Sequence, residues 1–444
     1  MDVTEYSAPV GKAPSAVEAS GVRTPEAPLQ GMRILLLTTH FPPERTGNAP
    51  LLGELCQDLA SSGHVVRVLA GPAEHHVPDL PKRYRRFGLS REQMGPIAVT
   101  RVNGIPIPWA WPRRLMVLSW FPVAAFWVGL AMGRCDVILC PSPPLWLGIT
   151  AKLLSRVQGV PYVYVVQDLW PDAPIRLGLV RSRALICMLR AIEQTVYRGA
   201  RRIITIMPTM TRRLVQLGVP PDKIDEIANW VDVDFFGRAL TLRLQAFRAS
   251  LALNADDVLV LYSGNMGRSH PVGLVVQAAV FLRHRADIHF LLVGAGHGLA
   301  PAKAAAVAAG LQNVCFLDFQ PREMLPEMLA SADIAVVTQL SGMGAFSLPS
   351  RMYMFMAAGL CIVGSFDADS GAAELLREAG CGLQVDPSDA KGLAAALVRL
   401  ADDSELRRQL GAAGRDYVLR CCARQAATAS YERSLLRVAG AQVD

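Results

Sequence analysis

The chain has 444 residues, 51% hydrophobic and 19% charged, with 36 Gly and 30 Pro; it is too long for a disulfide-stapled module and too apolar for a mainly disordered or fibrous chain, and its length favours two domains. The formal net charge of +7 is unevenly spread: residues 31–235 carry 24 basic against 15 acidic side chains, residues 236–444 carry 19 against 19, and the first 30 carry 2 against 4. A basic first half suggests an anionic partner such as a phosphorylated substrate, a membrane face or nucleic acid; with 6 Lys among 45 basic residues, Arg-rich codon usage is the plainer reading of the Arg excess but not of the asymmetry.

Met1–Gln30, rich in Ala, Pro, Ser and Glu and without a basic apolar leader, reads as a disordered cytoplasmic lead-in. From Arg33 short β-branched runs alternate with amphipathic helical stretches, the pattern of βαβ units and a parallel sheet. Strands are expected at Arg33–Thr39, His64–Ala70, Asp136–Cys140, Tyr162–Val166 and Arg202–Met207, with a helix around Leu51, Leu52, Leu55 and Leu59 closed by Gly63. The alternation restarts after Asn229-Trp230-Val231-Asp232, with strands at Val258–Ser263, Ile288–Val293, Val314–Leu317, Ile334–Thr338 and Cys361–Gly364. The reading is an α/β chain of two doubly wound, Rossmann-like halves: a tail over 1–30, a first domain over 31–235, a second over 236–420, and a C-terminal helix over 421–444. The helices from Ser404 onward, with no strand between them, are placed to pack back across both halves. The nine Cys are odd in number, lack metal-ligand spacing and often sit in apolar runs, so they read as reduced core thiols.

One segment breaks the alternation. Leu115–Gly133 is uncharged and follows Trp109, Trp111, Arg113 and Arg114. It reaches the lower length bound for a membrane span, but Pro122 interrupts it, and a span inside one doubly wound half would divide that half between two sides of a bilayer. An interfacial helix or a core helix fits better, and Trp and Arg beside an apolar helix suit the interface.

In open α/β sheets, ligands bind beyond the carboxyl ends of strands. Four strand-to-helix turns stand out. Residues 38–48 place Gly47 where backbone can approach a phosphate at a helix start. Residues 165–172 run a strand into Gln167, Asp168 and a Trp-Pro turn, where Asp168 either orients a polar substrate group or caps the next helix. Residues 262–270 join Gly264 and Gly267 to Arg268 and His270, a composition suited to a diphosphate. Residues 348–359 offer Pro349 and Ser350 as a helix start, with Arg351 adding charge. Gly294 and Gly296 form a further Gly-rich turn that lacks the complete dinucleotide spacing. Asp232-Val233-Asp234 formally matches an Asp-x-Asp metal pair, but alternating side chains on an extended segment diverge, so it reads as a turn between the halves and no metal site is assigned.

Taken in order, FPPERTG (41–47), PSPPLWLG (141–148), VVQDLWPD (165–172), NWVDVDFF (229–236), YSGNMG (262–267), LLVGAGHG (291–298) and PSRMYMFMAAG (349–359) make the chain resemble the retaining family 4 glycosyltransferases of the GT-B fold over about residues 31–440. It is most similar to the bacterial branch that builds colanic-acid-like exopolysaccharides and O-antigens. The resemblance implies two domains facing a cleft, a nucleotide-sugar donor held mainly by the second and an acceptor by the first, and transfer without a tightly bound metal or other cofactor. It implies that Gly47 and Gly264 approach the donor phosphates, that Arg268 or His270, with Arg351, neutralises the diphosphate, and that Gly294 and Gly296 line the nucleotide pocket. Asp168 falls at the catalytic strand end, where many members have a His before the acid and this chain has Gln167. Met354 and Phe346 stand where related sequences often have Glu residues that hold the donor ribose and sugar, and Asn265 replaces a frequent Arg. The expected function is a cytoplasmic enzyme, peripheral on the inner membrane face, that moves a sugar onto a lipid-linked saccharide in surface polysaccharide synthesis, lipopolysaccharide included. A nucleotide-sugar epimerase of the same architecture and a binding subunit without catalysis are the alternatives. Nucleic acid is not an expected partner, because aromatics do not interleave with the basic runs.

Overall fold

Fourteen strands form two separate sheets in the computed structural model, which describes residues 31–44, 48–72, 84, 87–103, 110–241 and 245–440. The first contains β1 (Arg33–Thr38), β2 (Val65–Ala70), β3 (Gly88–Met94), β4 (Ile97–Asn103), β5 (Val137–Ser142), β6 (Tyr162–Val166), β7 (Arg202–Thr205) and β8 (Ile224–Glu226). Their order is β3-β4-β2-β1-β5-β6-β7-β8, parallel except for the antiparallel β3–β4 edge. The second contains β9 (Val258–Ser263), β10 (Ile288–Val293), β11 (Val314–Leu317), β12 (Ile334–Thr338), β13 (Cys361–Ser365) and β14 (Gly382–Val385). Its order is β11-β10-β9-β12-β13-β14, parallel throughout.

The central strands are buried along their whole length because helices cover both faces, as parallel sheets require. Every residue of β5, β6, β9, β12 and β13 is buried. One apolar cluster lies on each face of each sheet. The sequence-expected strands are present with small changes at their ends. β3, β4, β8 and β14 were not expected. β3 is a polar edge strand that alternates partly buried and exposed residues, so it carries no apolar run.

The chain order reverses between β1 and β5 in the first sheet and between β9 and β12 in the second. These switch points open a crevice at the strand carboxyl ends. The last two helices divide their packing. Ser404–Cys421 stays on the second sheet, with Val418 in its core, and Gly411 lies against the carbonyl of Gly359, where a Cβ would meet that oxygen at 2.0 Å. Arg424–Ala439 returns to the first, where Tyr431 packs edge-on against Trp230 and Arg424 pairs with Asp58 at 2.7 Å.

The apolar stretch forms the helix Ala110–Ala131, with Pro122 inside it. Phe121 and Ala125 are buried in the first domain, whereas Trp120, Val123 and Trp127 are exposed. Among the described residues no helix is long and apolar enough to cross a membrane. Met1–Gln30 and Trp109 lie outside the described residues, as do the side chains of Trp111, Arg113 and Arg114. None of the cysteines is disulfide-bonded; six are buried, while Cys187 and Cys421 are exposed rather than in the core.

Candidate active site

The crevice is built from strand ends that face each other across the two domains. On the first-domain side β6 ends at Val166, and the next residues carry the polar groups. Gln167 and Asn229 form a reciprocal amide pair, Gln167 Nε2 donating to Asn229 Oδ1 at 3.1 Å and Asn229 Nδ2 donating to Gln167 Oε1 at 2.9 Å. This ties the strand end to the segment that leads into the second domain. Sequence reading missed the partnership because the residues are 62 apart.

Asp168 follows, half-buried. Desolvation pushes its pKa up to about 6. The short helix Asp172–Arg176 has no side-chain cap, so Asp168 is not acting as one. The turn is anchored instead by Asp172, whose carboxylate receives Arg190 and Arg213. Burial opposes that charge, but the two guanidiniums outweigh it and hold the pKa below the usual range. Asp168 is therefore left at the end of a buried strand with no charge partner among the described residues, mostly ionised near neutrality and able to accept a hydrogen bond. Trp170 lies two residues on, its ring edge-on to Trp146 at 5.8 Å.

On the second-domain side two loops zip together. Gly264 N–H donates to Val293 O and Met266 N–H to Ala295 O, both at 2.9 Å, and Gly298 N–H donates to Met266 O at 2.8 Å. Gly294 and Gly296 have φ of 141° and 142°, and a Cβ at Gly294 would sit 1.9 Å from Gly264 O. Loop-to-loop contact alone thus demands glycine at both positions.

Arg351 begins the helix Arg351–Ala357 and lies against Gly264. Its guanidinium stands 4.9 Å over the Tyr262 ring and makes long bonds to Ser263 O and Asn265 O at 3.3 and 3.4 Å. His270 packs nearby and donates from Nδ1 to Thr338 O at 3.0 Å, which leaves Nε2 as an acceptor. Burial first, then the Arg351 charge, lower its pKa to about 3. His270 is neutral at physiological pH, which corrects the expected cationic role toward a diphosphate. Arg268 is exposed and makes no ion pair among the described residues. The structure brings Gly264, His270, Gly294, Gly296 and Arg351 together, with Arg268 at the outer edge of the same loop; Gly47 lies outside the described residues.

The end of β12 adds polar groups absent from the sequence reading. Thr338 Oγ1 and Gln339 Oε1 are buried with no hydrogen-bond partner among the described residues. Unspent hydrogen-bonding capacity at a switch point is what a polar ligand uses. Among the described residues there is no cluster of His, Cys, Asp or Glu able to hold a metal. Asp232 caps the helix Val233–Gly237 by accepting from Phe235 N–H at 2.9 Å, which accounts for the first carboxylate of the Asp-x-Asp match.

Two tandem family models match the chain, a "Glycosyl transferase 4-like domain" over residues 46–230 and "Glycosyl transferases group 1" over residues 245–417. The chain belongs to the family 4 glycosyltransferases of the GT-B fold. This glycosyltransferase is 28% identical over 373 residues to the protein of Escherichia coli K12 named as a putative colanic acid biosynthesis glycosyl transferase, WcaI, a match covering 82% of this chain and 91% of that one. Its fold is similar to sucrose-phosphate synthase from Thermosynechococcus elongatus, with TM-score 0.74, 20% identity, and 92% and 99% of the two chains covered. It is also similar to Anabaena HepE in complex with UDP and glucose, with TM-score 0.68, 16% identity, and 91% and 99% covered.

Phe346 packs against the core of the first domain, and Met354 against that of the second. Both positions, where the resemblance implies Glu, are here part of apolar packing.

Proposed function

We propose that the chain transfers a sugar, with retention of configuration, from a nucleotide-sugar donor to a lipid-linked saccharide in the synthesis of a surface polysaccharide, working at the inner face of the membrane. The observation that carries this reading is the Leu169 N–H bond to Phe346 O at 2.9 Å, which brings the strand end bearing Asp168 against the second-domain loop that leads into Arg351. A diphosphate placed at the Gly264 and Arg351 loops meets backbone N–H groups and a guanidinium, and its sugar then points toward Asp168. The bond between the sugar and the nucleotide diphosphate breaks, an acceptor oxygen bonds to the sugar carbon, and the acceptor proton leaves with the diphosphate. Asp168 accepts a hydrogen bond from a reacting hydroxyl and stabilises the positive charge that builds on the sugar. Arg351 offsets the charge of the departing diphosphate, and Arg268 reaches it from the exposed side. The neutral His270 accepts from a donor hydroxyl through Nε2. No metal or other cofactor is invoked.

The similarity to WcaI supports the polysaccharide setting, and the exposed Trp120, Val123 and Trp127 support work beside a membrane. The test is to incubate purified protein with labelled nucleotide sugars and a membrane extract. Label moving into organic-soluble, phosphate-linked saccharide supports the reading. Isomerised free sugar nucleotide, or donor binding with no transfer, contradicts it.

A further inference from the structure

Between three helices of the first domain lies an open, apolar groove of about 700 Å³. Val123 and Phe126 line it from Ala110–Ala131, Ile149 and Leu153 from Leu147–Gln158, and Met188 and Ile192 from Arg183–Gly199. Two polar groups along its wall, the Thr150 hydroxyl and the Thr195 carbonyl, are engaged within the fold. Thr150 Oγ1 donates to Pro122 O at 3.1 Å, and Lys152 Nζ donates to Thr195 O at 3.1 Å. Apart from Thr150, Thr195 and the Trp146 indole N–H, the lining side chains are apolar.

The two ends of the groove differ. Trp146, which also lines it, sits where β5 hands over to Leu147–Gln158, at the carboxyl end of the sheet, and packs on Trp170 beside Asp168. The groove thus begins at the rim of the candidate active site. At that end the Trp146 indole N–H is buried with no acceptor among the described residues. Arg181 and Arg183, at the start of the third helix, have no carboxylate partner among the described residues. An apolar trough that opens onto a reaction centre beside unpaired cations is complementary to one kind of molecule: a long hydrocarbon with a phosphate-linked head.

We infer that this groove holds the segment of hydrocarbon next to the phosphate of the lipid-linked acceptor, so that the saccharide beyond the phosphate lies at Asp168. The inference rests on the acceptor proposed above and adds a site to it. The acceptor is drawn partly out of the bilayer, and the groove selects lipid-linked over free saccharide.

The experiment uses the full chain with farnesyl phosphate as probe, below its aggregation threshold, and reads the change in tryptophan fluorescence. Parallel arms use inorganic phosphate and phosphatidylglycerol vesicles. Leu153→Glu/Met188→Glu places two carboxylates at exposed edges of the groove, and thermal stabilisation by a nucleotide sugar reports that this variant is folded. The expected result is saturable binding of farnesyl phosphate, at least tenfold weaker in the variant, with inorganic phosphate a poor competitor. Equal binding by both proteins, or equal competition by inorganic phosphate, overturns the inference. So does vesicle binding with no farnesyl phosphate binding, which makes the groove part of a membrane-facing surface. The parent reading is scored separately by acceptor use. If lipid-linked product forms at an unchanged rate in the variant, the groove fails and the acceptor reading stands. If farnesyl phosphate binds in the groove but only free saccharide is glycosylated, the groove stands and the acceptor reading fails.

Discussion

The backbone N–H of Leu169 donates to the carbonyl of Phe346 at 2.9 Å, joining the strand end that carries Asp168 to the loop of the second domain that precedes Arg351. The junction is reinforced by Leu348, which packs on the cores of both domains, and by Arg212 with Glu374 at 3.0 Å. The two halves of the proposed site are thus held in register by a main-chain bond and an apolar plug. Phe346→Ala removes the plug and keeps the main-chain bond. It is expected to lower stability by about 1–3 kcal/mol, as for a partly buried aromatic, and to reduce turnover more than donor affinity. Chemical unfolding and donor titration check both parts.

Arg351 makes two long hydrogen bonds to loop carbonyls, so part of its donor capacity remains for a ligand. A charge-assisted hydrogen bond contributes about 1.5–3 kcal/mol, and Arg351→Ala should weaken nucleotide-sugar binding by roughly tenfold to a hundredfold. Arg351→Lys keeps the charge but loses the planar fork, and should recover only part of this. Calorimetric titration with the donor decides it; unchanged affinity in the Ala variant removes Arg351 from the donor site.

Asp168 gives a pH signature. Its folded-state pKa, pushed up to about 6, lies above the unfolded value of 3.8, so the folded chain binds more protons between those values. The group therefore costs stability above pH 6, and the cost disappears as pH falls toward 4. Asp168→Asn should raise the melting temperature at pH 7, converge with the unmodified protein near pH 4, and lose most of its turnover. Melting curves across pH 4–8 with parallel assays check this. A variant less stable at pH 7 with full activity per folded molecule contradicts the assignment.

Ten of the fourteen described strands were legible because parallel strands buried on both faces must be continuous apolar runs, as Val258–Ser263 and Ile334–Thr338 are, whereas β4, β8 and β14 were missed along with β3. β3 was missed because a polar edge strand needs only a neighbour. The Gly264, Gly294 and Arg351 turns could be found as glycine- or proline-marked strand ends. The Gln167–Asn229 pair, the neutrality of His270 and the unpaired atoms of Thr338 and Gln339 could not, since each depends on a partner or on enclosure far away in sequence. Leu115–Gly133 defied a single reading for a physical reason: one face of its helix is core at Phe121 and Ala125, and the other exposes Trp120 and Trp127.

That exposed face yields a membrane prediction. Basic residues near anionic lipid contribute about 1 kcal/mol each, and apolar burial adds to this. The basic run Lys82, Arg83, Arg85 and Arg86, which would add to such attraction, lies outside the described residues. Trp120→Ser/Trp127→Ser should reduce co-sedimentation with anionic vesicles severalfold while sparing donor binding, and high salt should weaken what remains. No binding by the unmodified protein at either salt would remove the membrane from the account.

The central claim is that Asp168 and the Gly264–Arg351 loops act on one donor in one crevice. Its most direct test is transfer of labelled sugar from a nucleotide-sugar donor to a lipid-linked saccharide by the purified protein, compared with Asp168→Asn under donor saturation. The account predicts transfer by the unmodified protein and a loss of at least a hundredfold in the variant, with donor affinity within a few-fold of the original. Transfer at an undiminished rate by Asp168→Asn would contradict it.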